Sequence, residues 1–206
     1  MKIAIYGATG NVGKHLVTEA ARRGHTVTAL SRHEAELPLG VEWQYGDLAD
    51  AEGVAAIASG ADVVVTAHGP SNEPGADPNA FAELVESVAN AVGSTRLLVV
   101  GGAGSLLAAP GVRLVDTPEF PDEYKQVALA TAVALDYLRT TSNVDWTYLS
   151  PAPFFPAGEA TGSYVVGTDS PVGDSISAED FARALIDELE TPAFRRTRFT
   201  VAAPSA

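Results

Sequence analysis

Three groups of residues in this 206-residue chain have types and spacings that could do chemistry. Gly7, Gly10 and Gly13 stand three apart, behind the apolar run from Ile3 to Tyr6. A helical pattern follows at once, with Val12, Leu16, Val17 and Ala20 on one face. Strand, glycine turn and helix in that order build a phosphate cradle. Gly7 permits the tight turn, Gly10 lets a pyrophosphate approach bare backbone, and Gly13 brings the helix close to the sheet. The helix then offers free N–H groups and the positive end of its dipole to the phosphates. A dinucleotide is the expected ligand.

The second group bears on which dinucleotide. NAD-specific folds place a carboxylate near the end of the second strand, where it bonds the ribose 2′-hydroxyl. Here that strand ends Thr28-Ala29-Leu30-Ser31-Arg32, with a hydroxyl and a guanidinium instead. Ser31 can donate to a 2′-phosphate and Arg32 can bind it while stacking on adenine, which favours NADP(H) over NAD(H). The plainer alternative for Arg32 is a solvated loop charge. Asp47, in Gly46-Asp47-Leu48, could accept from the adenine amino group or, alongside Asp50, cap the next helix.

The third group could serve the transfer of a hydride. His68 could donate to a nicotinamide ribose or supply a proton near neutral pH, or simply satisfy loop carbonyls. Lys125 could contact the ribose or a flavin phosphate, although a surface lysine is its commoner meaning. Phe154 and Phe155 could sandwich an isoalloxazine ring or plug their loop onto the core.

These groups need elements to hold them. Strand-like runs at residues 2–6, 26–30, 41–45, 62–67, 96–100, 145–149 and 198–201 alternate with helical patterns at 11–23, 51–58, 78–92, 123–140 and 178–190. Continuous Val, Ile and Leu runs mark strands covered on both faces. The expected fold is therefore α/β, a doubly wound parallel sheet of the Rossmann type in a single domain, residues 1–206, with ligands above the strands' carboxyl ends. Loops at 68–77, 101–121 and 150–162 each follow a strand and would form the substrate pocket over that edge. Trp146 and Tyr148 should pack against the helices, and Glu179 and Asp180 should favour the dipole of the last helix.

Composition narrows the function. A formal net charge of −13 would repel a nucleic-acid backbone or an anionic membrane surface. Cysteine is absent, which excludes disulfides and thiolate chemistry, and His15, His25, His33 and His68 do not cluster at metal-ligand spacing. No metal is expected. No apolar run reaches the length of a membrane span and the N-terminus lacks signal-peptide features, so a soluble, cytoplasmic protein is expected.

The motifs also carry a resemblance. Gly7-Ala8-Thr9-Gly10-Asn11-Val12-Gly13 resembles the glycine signature of extended and atypical short-chain dehydrogenase/reductases, NmrA-like proteins among them. Gly101-Gly102-Ala103-Gly104-Ser105-Leu106, Asp116-Thr117-Pro118, Glu123-Tyr124-Lys125, Ser150-Pro151-Ala152 and Arg198-Phe199-Thr200-Val201 are similar to the small bacterial NADH-flavin reductase group. By position, the resemblance implies that Gly7, Thr9, Gly10, Asn11, Val12 and Gly13 hold the pyrophosphate. Ser31 and Arg32 would hold the adenosine side, with Asp47 and Leu48 near adenine. Ala67, His68 and Gly69 would face the nicotinamide ribose, and Gly101, Gly102 and Ala103 would line the nicotinamide. The group's name says NADH, whereas Ser31-Arg32 argues for the phosphorylated cofactor.

One expected piece of chemistry is missing. The superfamily's acid pair is a Tyr and a Lys four residues apart on one helix. Tyr124 and Lys125 are adjacent here, and the positions four further on are Ala128 and Leu129. Carbonyl reduction of the alcohol-dehydrogenase kind is thereby disfavoured. Passing a hydride to a flavin or another flat acceptor needs no such pair, because the cofactors carry the difficult chemistry. The alternative is a non-catalytic, NmrA-like redox sensor that binds the nucleotide and reports its state. A nucleotide-sugar epimerase is disfavoured by the missing pair and the short C-terminal portion. Such folds commonly dimerise through the long helix at 123–140, so a homodimer is a further expectation.

Overall fold

A computed structural model describes residues 1–73 and 75–204. Pro74, within the 68–77 loop, and the last two residues of the expected domain lie outside the described residues. The elements run β1 (Lys2–Tyr6), α1 (Gly13–Arg22), β2 (Thr26–Ser31), β3 (Glu42–Tyr45), α2 (Ala51–Gly60), β4 (Val63–Thr66), α3 (Pro78–Ala91) and β5 (Arg96–Val100). They continue with β6 (Leu107–Ala109), β7 (Val112–Arg113), α4 (Asp122–Thr140), β8 (Trp146–Ser150), β9 (Val165–Gly167), α5 (Ala178–Glu190) and β10 (Thr197–Ala202).

Eight strands form one sheet in the order β3-β2-β1-β4-β5-β8-β10-β9, parallel throughout except for the antiparallel edge strand β9. The chain winds outward from β1 to β3, then returns to set β4 against the other side of β1. That reversal makes the carboxyl ends of β1 and β4 the topological switch point, where open α/β sheets bind ligands.

Period-two alternation along β1 sends Ile3 and Ile5 to the side covered by α1 and α5, and Ala4 and Tyr6 to the side covered by α2, α3 and α4. Each fully buried Leu, Ile or Val in these two layers contributes about 1.5–3 kcal/mol of transfer free energy. Trp146 and Tyr148 both lie in the second layer, as their alternation in β8 implies.

The sequence reading misses three strands. β6 and β7 form a hairpin inside the 101–121 loop, and β9 is three residues bounded by turn residues. None is long enough to display a period; β6 and β7 pair with each other, and β9 pairs with β10.

Candidate functional site

The β1–α1 turn is built for backbone contact with an anion. Gly7 has a left-handed φ of +74°, and a Cβ there would press within 2.9 Å of the Ala67 carbonyl, so the loops after β1 and β4 touch. At Gly13 a Cβ would lie 2.0 Å from the Gly7 oxygen. The first turn of α1 therefore rests directly on the glycine turn. The turn is closed by Gly10 N–H donating to Gly7 O at 2.9 Å. No side chain caps α1. Among the described residues the N–H groups of Thr9, Asn11, Val12 and Gly13 donate to no protein acceptor. Unpaired donors at the start of a ten-residue helix fit a pyrophosphate.

From this turn a groove of about 420 Å³ runs toward β2 and β3, with Gly7, Thr9, Gly10, Ser31, Arg32, Asp47, Leu48 and His68 in its wall. Tyr6, His33, Gly46, Ala49 and Leu84 line it as well and were missed from sequence. Tyr6 reads as an ordinary core strand residue, and only the sheet edge shows that its ring also reaches the groove. Burial, with a smaller contribution from Asp50, pushes its hydroxyl pKa up to about 12, so it stays neutral. Ala67, Gly69, Gly101, Gly102 and Ala103 lie outside this wall, at the ends of β4 and β5.

The polar groups of the groove differ in how free they are. Ser31 is buried, and its hydroxyl donates to the His33 carbonyl at 2.6 Å while accepting the Trp43 Nε1–H at 2.9 Å. Its single proton is therefore used within the protein, which corrects the expectation that Ser31 donates to a 2′-phosphate. Arg32 is exposed and, among the described residues, pairs with no carboxylate, whereas eight of the other arginines do. Asp47 Oδ1 accepts from Ala49 N–H at 3.0 Å in a local turn, while Asp50 alone caps α2 through Gly53 N–H at 3.0 Å.

His68 stands where this groove adjoins a second cavity of about 190 Å³, lined also by Gly69, Phe81, Leu84 and Gln126. Partial desolvation, then the Arg32 charge, hold its pKa below the ordinary histidine value, with Asp47 opposing. Its imidazole is neutral at pH 7. His68 shares the wall of the larger groove with Arg32 and Asp47.

The other candidates are dispersed. Lys125 sits half-exposed at the start of α4, 3.9 Å from Asp122, and borders neither cavity. Tyr124 is 59% exposed beside it, so the two make no acid pair. Tyr148 offers no substitute: its hydroxyl donates to Thr131 O at 2.9 Å, accepts from Gly102 N–H at 3.3 Å, and burial pushes its pKa up to about 12. A Cβ on Gly101 would fall 1.9 Å from that Tyr148 ring, and one on Gly102 would fall 2.5 Å from Thr131 Oγ1. Packing against β8 and α4 accounts for both glycines.

Phe155 tilts against Phe181 with ring centroids 4.6 Å apart, fixing its loop to the core. This corrects the expected pair of substrate-facing rings, because only Phe154, 67% exposed, presents a face. Asp180 is more than a helix-dipole residue. Its buried carboxylate accepts from Thr161 N–H at 2.7 Å and Gly162 N–H at 3.0 Å, pinning the far end of the 150–162 loop.

A parallel sheet, a glycine turn at its topological switch point and a groove running from that turn define a dinucleotide-binding α/β protein. The chain belongs to the NAD(P)H-binding family, whose model matches residues 7–192. It is 43% identical to YwnB, an uncharacterised protein of Bacillus subtilis, across 98% of both chains. A solved Streptococcus pneumoniae structure, described as a proposed NADH-flavin reductase, superposes with a TM-score of 0.87 at 36% identity, covering 99% of this chain and 100% of its own. A proposed epimerase from Bacteroides thetaiotaomicron superposes with a TM-score of 0.88 at 35% identity, covering 100% of this chain and 98% of its own. Among the described residues no helix is long and apolar enough to cross a membrane, and no group of three or more His, Cys, Asp or Glu could hold a metal ion.

Proposed function

We propose that this protein is an NADPH-dependent oxidoreductase that reduces a flavin or a similarly flat acceptor. The observation that carries the reading is a groove joining backbone donors at the α1 N-terminus to Arg32, both without protein partners among the described residues. The donors suit a pyrophosphate, and a free guanidinium near the second strand suits a 2′-phosphate. Bound there, the reduced nicotinamide would supply a hydride, two electrons with one proton. The second proton of a reduced flavin then comes from solvent, since Tyr124, Lys125 and Tyr148 form no acid at the site. The task left to the chain is to orient the cofactor and seat a flat ring, for which Phe154 has an open face. The flavin reductase description of the Streptococcus protein agrees with this choice of acceptor. A cytoplasmic location, where reduced nicotinamide is regenerated, goes with the same reading.

The test is anaerobic NADPH oxidation by the purified protein with and without FMN, corrected for the uncatalysed rate. Saturable oxidation that needs both protein and flavin supports the reductase. Tight NADPH binding without turnover on flavins or quinones overturns it and leaves the redox-sensor reading.

A further inference from the structure

Arg32 can select a cofactor only if its stretch of chain is held in place. Between the β2 end at Ser31 and Leu37, which packs on the core, hydrogen bonds hold little of it. The ten residues between β2 and β3 form no helix or strand. Among the described residues, the only hydrogen bond reaching the part from Arg32 to Leu37 is the one that the His33 carbonyl accepts from Ser31. That hydroxyl is fixed in turn by the Trp43 indole, which reaches across from β3. The direction of the relay is chemically forced. An indole N–H only donates and a carbonyl only accepts, so Ser31 must accept from Trp43 and give its proton to His33. Arg32, between Ser31 and His33, is thus bracketed by a tether that begins on the neighbouring strand. Arg32 lines the groove together with His68 and Asp47.

We infer that Trp43 is the positioning residue for the choice of cofactor. Acting through Ser31, it holds the 31–33 turn so that Arg32 stands where the 2′-phosphate of NADPH would lie, without itself touching the nucleotide. The inference rests on the NADPH reading above and assigns the residue behind it. The Trp43 side chain makes no other hydrogen bond among the described residues, and it is partly buried. Trp43→Phe therefore removes the donor and keeps an aromatic ring at the position.

Calorimetric titration of NADPH and NADH into wild type, Trp43→Phe, Ser31→Ala and Arg32→Ala tests this. In Trp43→Phe the Kd for NADPH should rise about fivefold or more, the factor that the loss of one hydrogen bond allows. The Kd for NADH should stay within about twofold, since that cofactor lacks the phosphate Arg32 would hold. Ser31→Ala should bring the NADPH:NADH ratio to the same level, and the Trp43→Phe/Ser31→Ala double variant should go no further, because both changes cut one relay. If Trp43→Phe fails to fold, Ser31→Ala carries the test. A wild type that prefers NADPH through Arg32, with the preference intact in Trp43→Phe and Ser31→Ala, overturns the role of Trp43 and leaves the NADPH reading standing. Equal weakening of both cofactors also overturns it, by showing a merely structural effect. No NADPH preference in wild type, or none lost in Arg32→Ala, overturns the NADPH reading and the inference together.

Discussion

At the scale of single residues, neighbours of one type do different work here. Phe154 and Phe155 adjoin in sequence, yet one ring faces water and the other packs on Phe181. Removing the packed ring should cost about 2–3 kcal/mol, less than for a fully buried Phe because Phe155 is only partly covered. Removing the exposed one should change stability by less than about 0.5 kcal/mol. If Phe154 seats the acceptor, Phe154→Ala raises the KM for FMN several-fold and leaves NADPH binding alone. Thermal denaturation together with flavin kinetics separates the two. Nothing in the adjacent letters distinguishes the rings. The sequence reading could name the pair and list both roles, but which ring turns inward depends on the position of α5, whose Phe181 is 26 residues further on than Phe155.

At the scale of elements, the site depends on contacts between a loop and a helix distant in sequence. Asp180 lies in the first turn of α5, where a carboxylate is favoured by the dipole in any case, so its sequence position suggested nothing further. Its burial against Thr161 and Gly162 gives it a second task. Asp180→Ala leaves both backbone donors without their acceptor and should cost about 2–3 kcal/mol. The 150–162 loop should then be cut faster in limited proteolysis, before global unfolding. Unchanged cleavage there would show that the loop is held by Phe155 and the Phe154–Ser175 bridge instead.

At the scale of the whole molecule, first and last helices are joined by charge as well as by apolar packing. Glu19 on α1 accepts from Arg22 and Arg23 at 2.8 Å, and Arg23 reaches Asp187 and Glu190 on α5 at 2.6 and 2.7 Å. The Arg22 hydrogen bond first, opposed by burial, and then the Arg23 hydrogen bond and charge bring the Glu19 pKa from 4.5 down to about 2. A carboxylate lowered in the fold stabilises the native state above its unfolded pKa, and the benefit disappears as pH falls through the folded value. Glu19→Gln should therefore be less stable than wild type at pH 7, by about 2 kcal/mol after discounting for the exposed Arg22. The difference should shrink between pH 4.5 and about pH 2. Urea midpoints across that range check both sign and window.

The parallel strands, the helices and the glycine turn were legible in the sequence because each follows from neighbours within one turn or one pleat: apolar periodicity, helix starts and the spacing of Gly7, Gly10 and Gly13. The short β6, β7 and β9 were not. Only the tertiary structure decided which polar groups remain free. Ser31 and Arg32 read from sequence as two ligands for one phosphate. The fold turns the hydroxyl toward Trp43 and His33 and, among the described residues, leaves the guanidinium without a carboxylate partner. It likewise sets His68 in one groove wall with Arg32 and Asp47 and makes Gly101 a matter of packing on Tyr148. Each of these outcomes turns on a partner brought from another element. Local sequence records what a side chain can bond, whereas the packed sheet and helices determine what it does bond.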